Sequence, residues 1–286
     1  MANFSEMNIT VVGLGMEGGS YAIAINQYLK PKNLYAIDIK ENVLIAAEQL
    51  QVITKGSTRP EEILPKSDLV IMCIYPTGVI QFLREYMHLF KPGAIITDAA
   101  GVKRNIVKEI VSFVRDDVDF VPGHPMAGNE FRGFLYADKK IFEGNSYLLT
   151  PTLKNKESSL QLIEEMALKF RCSKVYRTDP DTHDTKIAYA SQLMHLVATA
   201  LVNCDSYTDD MSTFVGGSFK SATRVANINP DLWTDAFMEN SDKLLEQLEK
   251  FNANLQMMKT ALENKDADTI YRFFETSYLK SNAHDR

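Results

Sequence analysis

The first 178 residues alternate short, almost continuously apolar runs with segments in which apolar residues recur every three to four positions. Such runs are typical of parallel strands buried on both faces, and the recurring pattern is typical of amphipathic helices. The predicted strands are residues 8–12, 33–37, 69–74, 94–97, 120–121, 147–149 and 174–176. The predicted helices are residues 21–29, 41–50, 78–90, 103–114 and 160–170. This alternation predicts an α/β fold with a Rossmann-type, doubly wound parallel sheet.

The pattern changes after Asp179-Pro180, beyond which there is no convincing strand. Only long helical stretches follow, and they are broken at Gly216-Gly217 and at Asn229-Pro230. We therefore predict two domains, residues 1–178 and an all-helical domain of residues 179–286.

One helix of the second domain carries six apolar residues spaced alternately four and three apart. They are Leu244, Leu248, Phe251, Leu255, Met258 and Leu262. This is the spacing of the seam between paired helices, and it fits either a core within one chain or an interface between two. A small domain of long helices has little core of its own, which favours the interface and therefore a homodimer.

Composition and charge narrow the class of protein. The chain has 286 residues, 45% of them hydrophobic, and a net charge of −6, which is ordinary for a soluble globular protein. No block of five or more lysines and arginines is present, which argues against general binding of nucleic acid. No apolar run reaches the ~18 residues that would cross a bilayer, and no signal peptide is recognisable, so we expect no membrane partner and a cytoplasmic location.

The three cysteines carry no recognisable metal or disulfide pattern. Cys73, Cys172 and Cys204 are odd in number and far apart, without a CxxC pair. We therefore expect neither a disulfide framework nor a bound metal.

A glycine-rich string, Gly13-Leu14-Gly15-Met16-Glu17-Gly18, follows the first predicted strand and begins a helix. In a dinucleotide-binding turn the first glycine makes the turn, the second lets the backbone approach the pyrophosphate and the third lets helix and strand pack closely. Asp38 ends the second strand, where its carboxylate can bond a ribose 2′-hydroxyl and repel a 2′-phosphate. This predicts NAD rather than NADP, although the neighbouring Lys40 argues the other way.

Further cofactor-binding residues are expected where strands of the sheet end. Tyr75, Pro76 and Asp98 follow predicted strands. The carboxyl ends of parallel strands are the edge at which ligands bind in this fold. Together with Met16 and Glu17 of the glycine-rich string, these residues complete the predicted cofactor site.

A candidate catalytic base lies in the string Val121-Pro-Gly-His124-Pro-Met-Ala-Gly128, which we predict to be a loop after a strand. Prolines fix the backbone around His124, and Gly128 leaves room for a substrate. A histidine that titrates near neutrality can accept the proton of an alcohol as its hydride leaves. Taken alone, a loop histidine is more often structural than catalytic.

The helical half offers a candidate substrate site. Four residues recur at every fourth position and are predicted to share one helix face: His183, Ile187, Ser191 and His195. Such a face indicates a polar pocket or a subunit interface. Lys220 and Arg224 are also four apart and suit a substrate carboxylate, although a solvated helix edge would show the same pattern. Trp233 on its own is expected in a core.

In order and approximate spacing, five strings resemble the prephenate/arogenate dehydrogenases of tyrosine biosynthesis, over nearly the whole chain. They are residues 13–20, 98–103, 123–128, 191–195 and 217–224. The resemblance implies NAD-dependent oxidative decarboxylation of prephenate to 4-hydroxyphenylpyruvate, or the corresponding conversion of arogenate to tyrosine. It also implies that the helical domain forms a dimer.

The resemblance also assigns roles to individual residues. It implies that His124 bonds the ring hydroxyl and assists its deprotonation, and that Arg224 binds a substrate carboxylate. The remaining implied substrate-binding residues are His195, Ser191 and Lys220 near the substrate side chain, Glu130 as a gating carboxylate and Trp233 as an aromatic wall.

The sequence departs from the family pattern at positions that bear on activity. Gly101 stands where the family usually has a serine that bonds the catalytic histidine, so His124 must be oriented by another group, with water as one option. Gln192 and Met194 replace a histidine and a proline. Two alternatives therefore stay open at this point. One is another two-domain NAD(P) dehydrogenase, of the β-hydroxyacid or pyrroline-carboxylate type, and the other is a catalytically weak dinucleotide-binding sensor.

Overall fold

The computed structural model of this chain describes residues 3–128, 131–204 and 208–284. Its contacts divide the chain into two compact units, with the boundary between Asn240 and Ser241. The helices are α1 (Met16–Ala24), α2 (Glu41–Gln49), α3 (Pro76–Tyr86), α4 (Arg104–Phe113), α5 (Glu157–Lys169), α6 (Pro180–Ile187), α7 (Leu193–Val202), α8 (Gly217–Thr223), α9 (Pro230–Glu239), α10 (Ser241–Glu263) and α11 (Ala267–His284). Every regular element found among the described residues after Asp179 is a helix, as predicted.

A six-stranded sheet, parallel throughout, forms the centre of the first unit. Its strands are β1 (Asn8–Val12), β2 (Asn33–Ile37), β3 (Lys55–Ser57), β4 (Leu69–Met72), β5 (Ile95–Asp98) and β6 (Asp119–Val121). The spatial order is β3-β2-β1-β4-β5-β6, with neighbouring strands parallel. The strand order reverses at β1, which is the arrangement of the Rossmann fold. The predicted fold class is therefore confirmed.

Both faces of this sheet are buried, because side chains of one strand enter two separate apolar clusters. Ile9 and Val11 of β1 lie in one cluster, whereas Val12 lies in the other with Val70 and Met72 of β4. Burial on both faces explains why the strands appear as continuous apolar runs. The short β3 has no such run, since its residues are Lys55, Gly56 and Ser57, and it was not predicted.

A second, three-stranded sheet holds the chain after β6. It consists of β7 (Gly123–Pro125), β8 (Ser146–Leu149) and β9 (Lys174–Arg177), with β7 antiparallel and β9 parallel to β8. The prediction that the last two strands continue the first sheet was wrong, and so was the loop predicted at His124, which lies in β7. Only Pro122 separates β6 from β7, which leaves no room for a crossover, and proline has no N–H to donate to a ladder.

Helices α8 and α9 begin at the two predicted breaks. α8 begins at Gly217, and α9 begins at Pro230 after Asn229, whose side chain accepts a hydrogen bond from the amide of Asp231. Helices α6 to α9 belong to the first unit, and Asn240 at the end of α9 donates to the Asp184 carbonyl of α6. The domain boundary near residue 178 remains a prediction, since the contacts divide the chain further along.

The second unit is a pair of long helices, α10 and α11, that contact each other. The six-residue apolar seam lies on α10. Leu244 at its start is buried, whereas Leu255 and Leu262 are 53% and 63% exposed. The seam is thus only partly covered. None of the helices in the described part of the chain has an apolar stretch that would span a bilayer.

Candidate active site

In the glycine-rich turn between β1 and α1, two of the glycines leave no room for a side chain and one has free space beside it. Gly13 has a φ of +89°, and a Cβ on Gly18 would lie 1.8 Å from the Gly13 carbonyl oxygen, so neither position accepts a side chain. Gly15, directly before α1, is exposed, and a Cβ there would have no atom within 4 Å. This open space at a helix N-terminus fits the pyrophosphate of a dinucleotide.

Asp38 lies beside the glycine-rich turn at the end of β2. Its Oδ2 accepts the Leu14 amide at 2.7 Å, and its Oδ1 accepts the Lys40 amide at 2.8 Å. The carboxylate is therefore fixed next to the turn, as a ribose 2′-hydroxyl requires. These residues fit NAD.

Met16 and Glu17 occupy the first turn of α1, and both are partly buried. Burial raises the pKa of Glu17 to about 8, against a smaller opposing effect of the Lys103 charge. Burial thus favours the neutral form of Glu17, whose cofactor role stays a prediction.

The other predicted cofactor residues lie at the ends of β4 and β5. Tyr75 is exposed and precedes Pro76, the first residue of α3, and its hydroxyl oxygen accepts a hydrogen bond from Asn229 Nδ2 at 2.9 Å. Thr77 donates its amide and its hydroxyl to Asp235 Oδ2, at 3.0 and 3.2 Å. The N-terminus of α3 is thereby joined to α9.

Asp98, at the end of β5, has a different environment from Tyr75. Its side chain is fully buried and forms an ion pair with the fully buried Lys103. It also accepts the amides of Ala100 at 3.1 Å and Gly123 at 3.2 Å. The cofactor role of Asp98 stays a prediction, and the contacts made by its carboxylate fix the segment that leads into β7.

His124 in β7 makes a hydrogen bond to a second histidine. Its Nδ1 lies 2.9 Å from His183 Nε2, and His183 Nδ1 lies 2.7 Å from Asp184 Oδ1. Both carboxylate oxygens of Asp184 accept backbone amides at 2.8 Å, from Lys103 and Arg104 at the start of α4. The partner of His124 is therefore His183, whereas the sequence had suggested water as one option.

The surroundings of His124 favour its neutral form. Burial is the largest effect, and electrostatic interactions with the neighbouring His183 and Lys103 lower the pKa of His124 further, so it lies well below its usual range. Burial also lowers the pKa of His183, against the opposing hydrogen bond to Asp184. A neutral imidazole at this position can accept a proton throughout the neutral range.

These shifts predict how activity and stability respond to acid. We expect the acidic limb of kcat/KM against pH to lie below pH ~6.5, the usual pKa of histidine, because His124 stays unprotonated at that pH.

Stability is expected to fall over the same range. As the pH drops below about 6.5, His124 and His183 bind protons in the unfolded chain but not in the folded chain, so the free energy of unfolding falls. Activity profiles and urea titrations across this range test both expectations; a limb centred above pH 6.5 would contradict the first.

A second group of predicted residues meets around Trp233 of α9. The His195 ring lies tilted against the Trp233 ring, with centroids 3.7 Å apart and an angle of 30°. His195 Nδ1 lies 2.9 Å from the Ser191 carbonyl oxygen and must donate to it, which leaves Nε2 as an acceptor. Burial lowers the pKa of His195, and the nearby positive charge of Arg224 lowers it further. The predicted carboxylate-binding arginine thus lies near His195.

The remaining predicted substrate residues are placed as follows. Lys220 is exposed on α8, and Arg224 begins the short turn that follows this helix. Ser191 lies in a π-helical turn, Ala188–Gln192, between α6 and α7. Glu130 lies outside the described residues. We predicted that His183 and His195 share a helix face because they are a multiple of four residues apart. The π turn between them interrupts this regular spacing.

Gln192, one of the departures from the family pattern, is buried and has a structural role. Its Nε2 donates to the Ala236 carbonyl at 2.8 Å, and its Oε1 accepts from Asn240 Nδ2 at 2.8 Å. It therefore joins the π turn to α9.

The sequence pattern placed His183 on a polar helix face, but it indicated neither the contact of His183 with His124 nor any role for Asp184 or Asp235. The carboxylate next to a histidine in the four-residue pattern is the one signal that could have indicated the first two. Among the described residues, no group of three or more His, Cys, Asp or Glu side chains is arranged to hold a metal ion.

Comparison with known proteins gives consistent matches. Residues 21–190 match the family model of the prephenate dehydrogenase nucleotide-binding domain, and residues 179–276 match that of the prephenate dehydrogenase dimerization domain. The prephenate dehydrogenase of Bacillus subtilis is 28% identical over 280 residues, which are 96% of this chain and 75% of that protein. The cyclohexadienyl dehydrogenase of Zymomonas mobilis is 28% identical over 276 residues, 94% of this chain and 93% of that protein.

A solved structure to which this chain is similar belongs to the same class of enzyme as these relatives. The prephenate dehydrogenase from A. aeolicus, in complex with hydroxyphenyl propionate and NAD+, has a TM-score of 0.88 and 26% identity. The match covers 99% of this chain and 100% of that chain. The two family models together match residues 21–276 and decide against the β-hydroxyacid and pyrroline-carboxylate alternatives. The chain belongs to the prephenate dehydrogenase family.

Proposed function

We propose that this chain catalyses the NAD-dependent oxidative decarboxylation of prephenate to 4-hydroxyphenylpyruvate in tyrosine biosynthesis, in the cytoplasm. The observation that carries the proposal is the partly buried His124, whose surroundings favour the neutral imidazole, beside Gly101, where a Cβ would lie 3.7 Å from the imidazole Nε2. Glycine thus leaves space next to the nitrogen that is available for a substrate hydroxyl. The relatives named prephenate and cyclohexadienyl dehydrogenase support the reaction class.

Each residue of the site has a defined task in this reaction. Bound NAD supplies a hydride acceptor, held by the glycine-rich turn and Asp38. His124 Nε2 accepts the proton of the ring hydroxyl as the hydride leaves the carbon that bears this hydroxyl. His124 returns the proton to the same oxygen when loss of carbon dioxide makes the ring aromatic. Because aromatisation makes the step strongly downhill, the main task of the protein is to hold the reacting groups together.

The second group of residues binds the rest of the substrate. The guanidinium of Arg224 can bind a carboxylate through two hydrogen bonds. Ser191, His195 and the exposed Lys220 surround the substrate side chain in this proposal, and Trp233 supplies a flat apolar wall. The choice between the keto group of prephenate and the ammonium group of arogenate depends on these residues.

The test is formation of NADH by the purified protein with prephenate or arogenate, each with NAD+ or NADP+. We expect turnover with NAD+ and little with NADP+, because the Asp38 carboxylate repels a 2′-phosphate. The ratio of the two substrate activities gives the substrate preference. Binding of NADH without turnover in any pairing would instead favour the sensor alternative.

Replacing Arg224 with Gln is expected to weaken substrate binding more than turnover. Loss of a charge-assisted hydrogen bond to a carboxylate costs about 1.5–3 kcal/mol, which corresponds to a rise in KM of roughly 10- to 100-fold. Steady-state kinetics with saturating NAD+ measure this change. An unchanged KM would show that the carboxylate binds elsewhere, and Lys220→Gln is the next variant to compare.

We further propose that the chain is a homodimer that assembles through its helical part. The match of residues 179–276 to a dimerization domain supports this. The exposed part of the α10 seam, with Leu255 and Leu262, gives such an interface its apolar surface. Analytical ultracentrifugation of the purified chain tests the proposal.

A further inference from the structure

We propose that His183, held by Asp184, positions the imidazole of His124 and selects its tautomer. It thereby supplies the orientation that a serine at position 101 would otherwise give. His183 is a positioning residue in this proposal, because it acts through His124. The inference rests on the proposed function, in which His124 Nε2 accepts a proton from the substrate.

The chain of contacts begins at a rigid point of the fold. The Asp184 carboxylate accepts the amides of Lys103 and Arg104, and its Oδ1 lies 2.7 Å from His183 Nδ1. Asp184 and His183 are both buried, with 0% and 1% exposure. The carbonyl of Asp184 is in addition fixed by Asn240 at 3.0 Å. His183 therefore has little freedom to rotate.

These contacts determine which nitrogens carry protons. An ionised carboxylate can only accept, so His183 Nδ1 carries the proton of the bond to Asp184. A neutral His183 then has an unprotonated Nε2, which must accept from His124 Nδ1. His124 in turn is left with an unprotonated Nε2, the nitrogen beside Gly101. These successive hydrogen bonds thus leave His124 Nε2 as an acceptor at the place where the substrate hydroxyl would lie.

Gly101 explains why His124 needs the hydrogen bond from its ring to His183 in this chain. A Cβ at position 101 would lie 3.7 Å from His124 Nε2, so a serine hydroxyl there would come within hydrogen-bond distance. Such a hydroxyl can donate to an unprotonated Nε2, and is therefore compatible with the same tautomer. Glycine gives no such bond, which leaves His183 as the described side chain that hydrogen-bonds to the His124 ring.

The first test uses the intact protein and needs no variant of His183. The chain has five histidines, so nitrogen-15 NMR of labelled protein can resolve each ring, with His124→Asn identifying the signals of His124. We expect both His124 and His183 to carry their proton on Nδ1 at neutral pH. A proton on Nε2 of His124 would overturn the proposal, whether or not the enzyme is active.

The second test compares two replacements of His183. Glutamine carries its amide oxygen as many bonds from Cα as the Nε2 of histidine, and can still accept from His124. Phenylalanine keeps a ring but offers no acceptor. We expect His183→Phe to lower kcat roughly 10²-fold with KM little changed, and His183→Gln to stay within about tenfold of the parent. His88→Gln, at an exposed histidine, is the matched control and should leave kcat unchanged.

The third arm adds the serine. Gly101→Ser should raise kcat of the His183→Phe variant at least about tenfold and change that of the parent far less. Equal kcat for the Phe and Gln variants, or the same effect of serine in both backgrounds, would overturn the proposal. NADH binding by each variant shows that it is folded. Failure of the proposed function is distinct, since the parent itself would then lack activity while the NMR result still decides the tautomer.

Discussion

His124→Asn is expected to lower kcat by ~10²–10⁴-fold while leaving the affinity for NAD+ nearly unchanged. The asparagine amide reaches the position of the imidazole Nδ1, so the contact with His183 and the path of β7 can persist. It has no group at the position of Nε2, and the proton of the substrate hydroxyl then lacks an acceptor. Because the surroundings of the partly buried His124 favour its neutral form, no charge is lost in the replacement.

The measurement is kcat at saturating substrate together with the dissociation constant for NADH from fluorescence. His88→Asn, at an exposed histidine outside the site, is the matched control and should behave as the parent. Full activity of His124→Asn would show that another group accepts the proton, and would remove the central residue of the proposed mechanism.

Lys103→Met is expected to have the largest effect on stability, a loss of about 3–5 kcal/mol in the free energy of unfolding. The Lys103 ammonium and the Asp98 carboxylate form a fully buried ion pair. Methionine fills a similar volume but leaves the Asp98 charge buried without its partner. Since Asp98 also holds the Gly123 amide, the variant is expected to lose activity as well as stability.

The matched control is the same substitution in an ion pair that is partly exposed. Lys91 pairs with Asp68, and both side chains are about one-third exposed. Water screens that pair, so Lys91→Met should cost no more than about 1 kcal/mol. Urea titrations of both variants give the comparison; similar losses would contradict the view that burial determines the contribution of Lys103.

Much of the nucleotide-binding half could be predicted from sequence because its signals are local. The strand at residues 8–12, the glycine-rich turn and the acidic residue at the end of the next strand follow one another along the chain. Burial on both faces produces apolar runs that are easily recognised. The positions of Gly13 and Asp38 relative to the first two strands followed directly from this order.

The second sheet and the partner of His124 could not be predicted, because both depend on contacts between distant residues. β7 has only three residues, including a glycine and a proline, and forms a strand because β8 pairs with it. His124 and His183 are 59 residues apart and meet through the packing of α6 against the start of α4. No periodicity within one segment carries such information, and the π turn at 188–192 further disturbs the helical phase.

The bond between Asp235 and Thr77 has a consequence for the affinities of the two ligands. It joins α9, which carries Trp233, to the first turn of α3, beside the predicted cofactor residues Tyr75 and Pro76. A ligand that shifts either helix must therefore change the free energy of binding at the other. By thermodynamic linkage the effect is reciprocal: whatever factor the substrate contributes to the affinity for NAD+, NAD+ contributes to the affinity for the substrate.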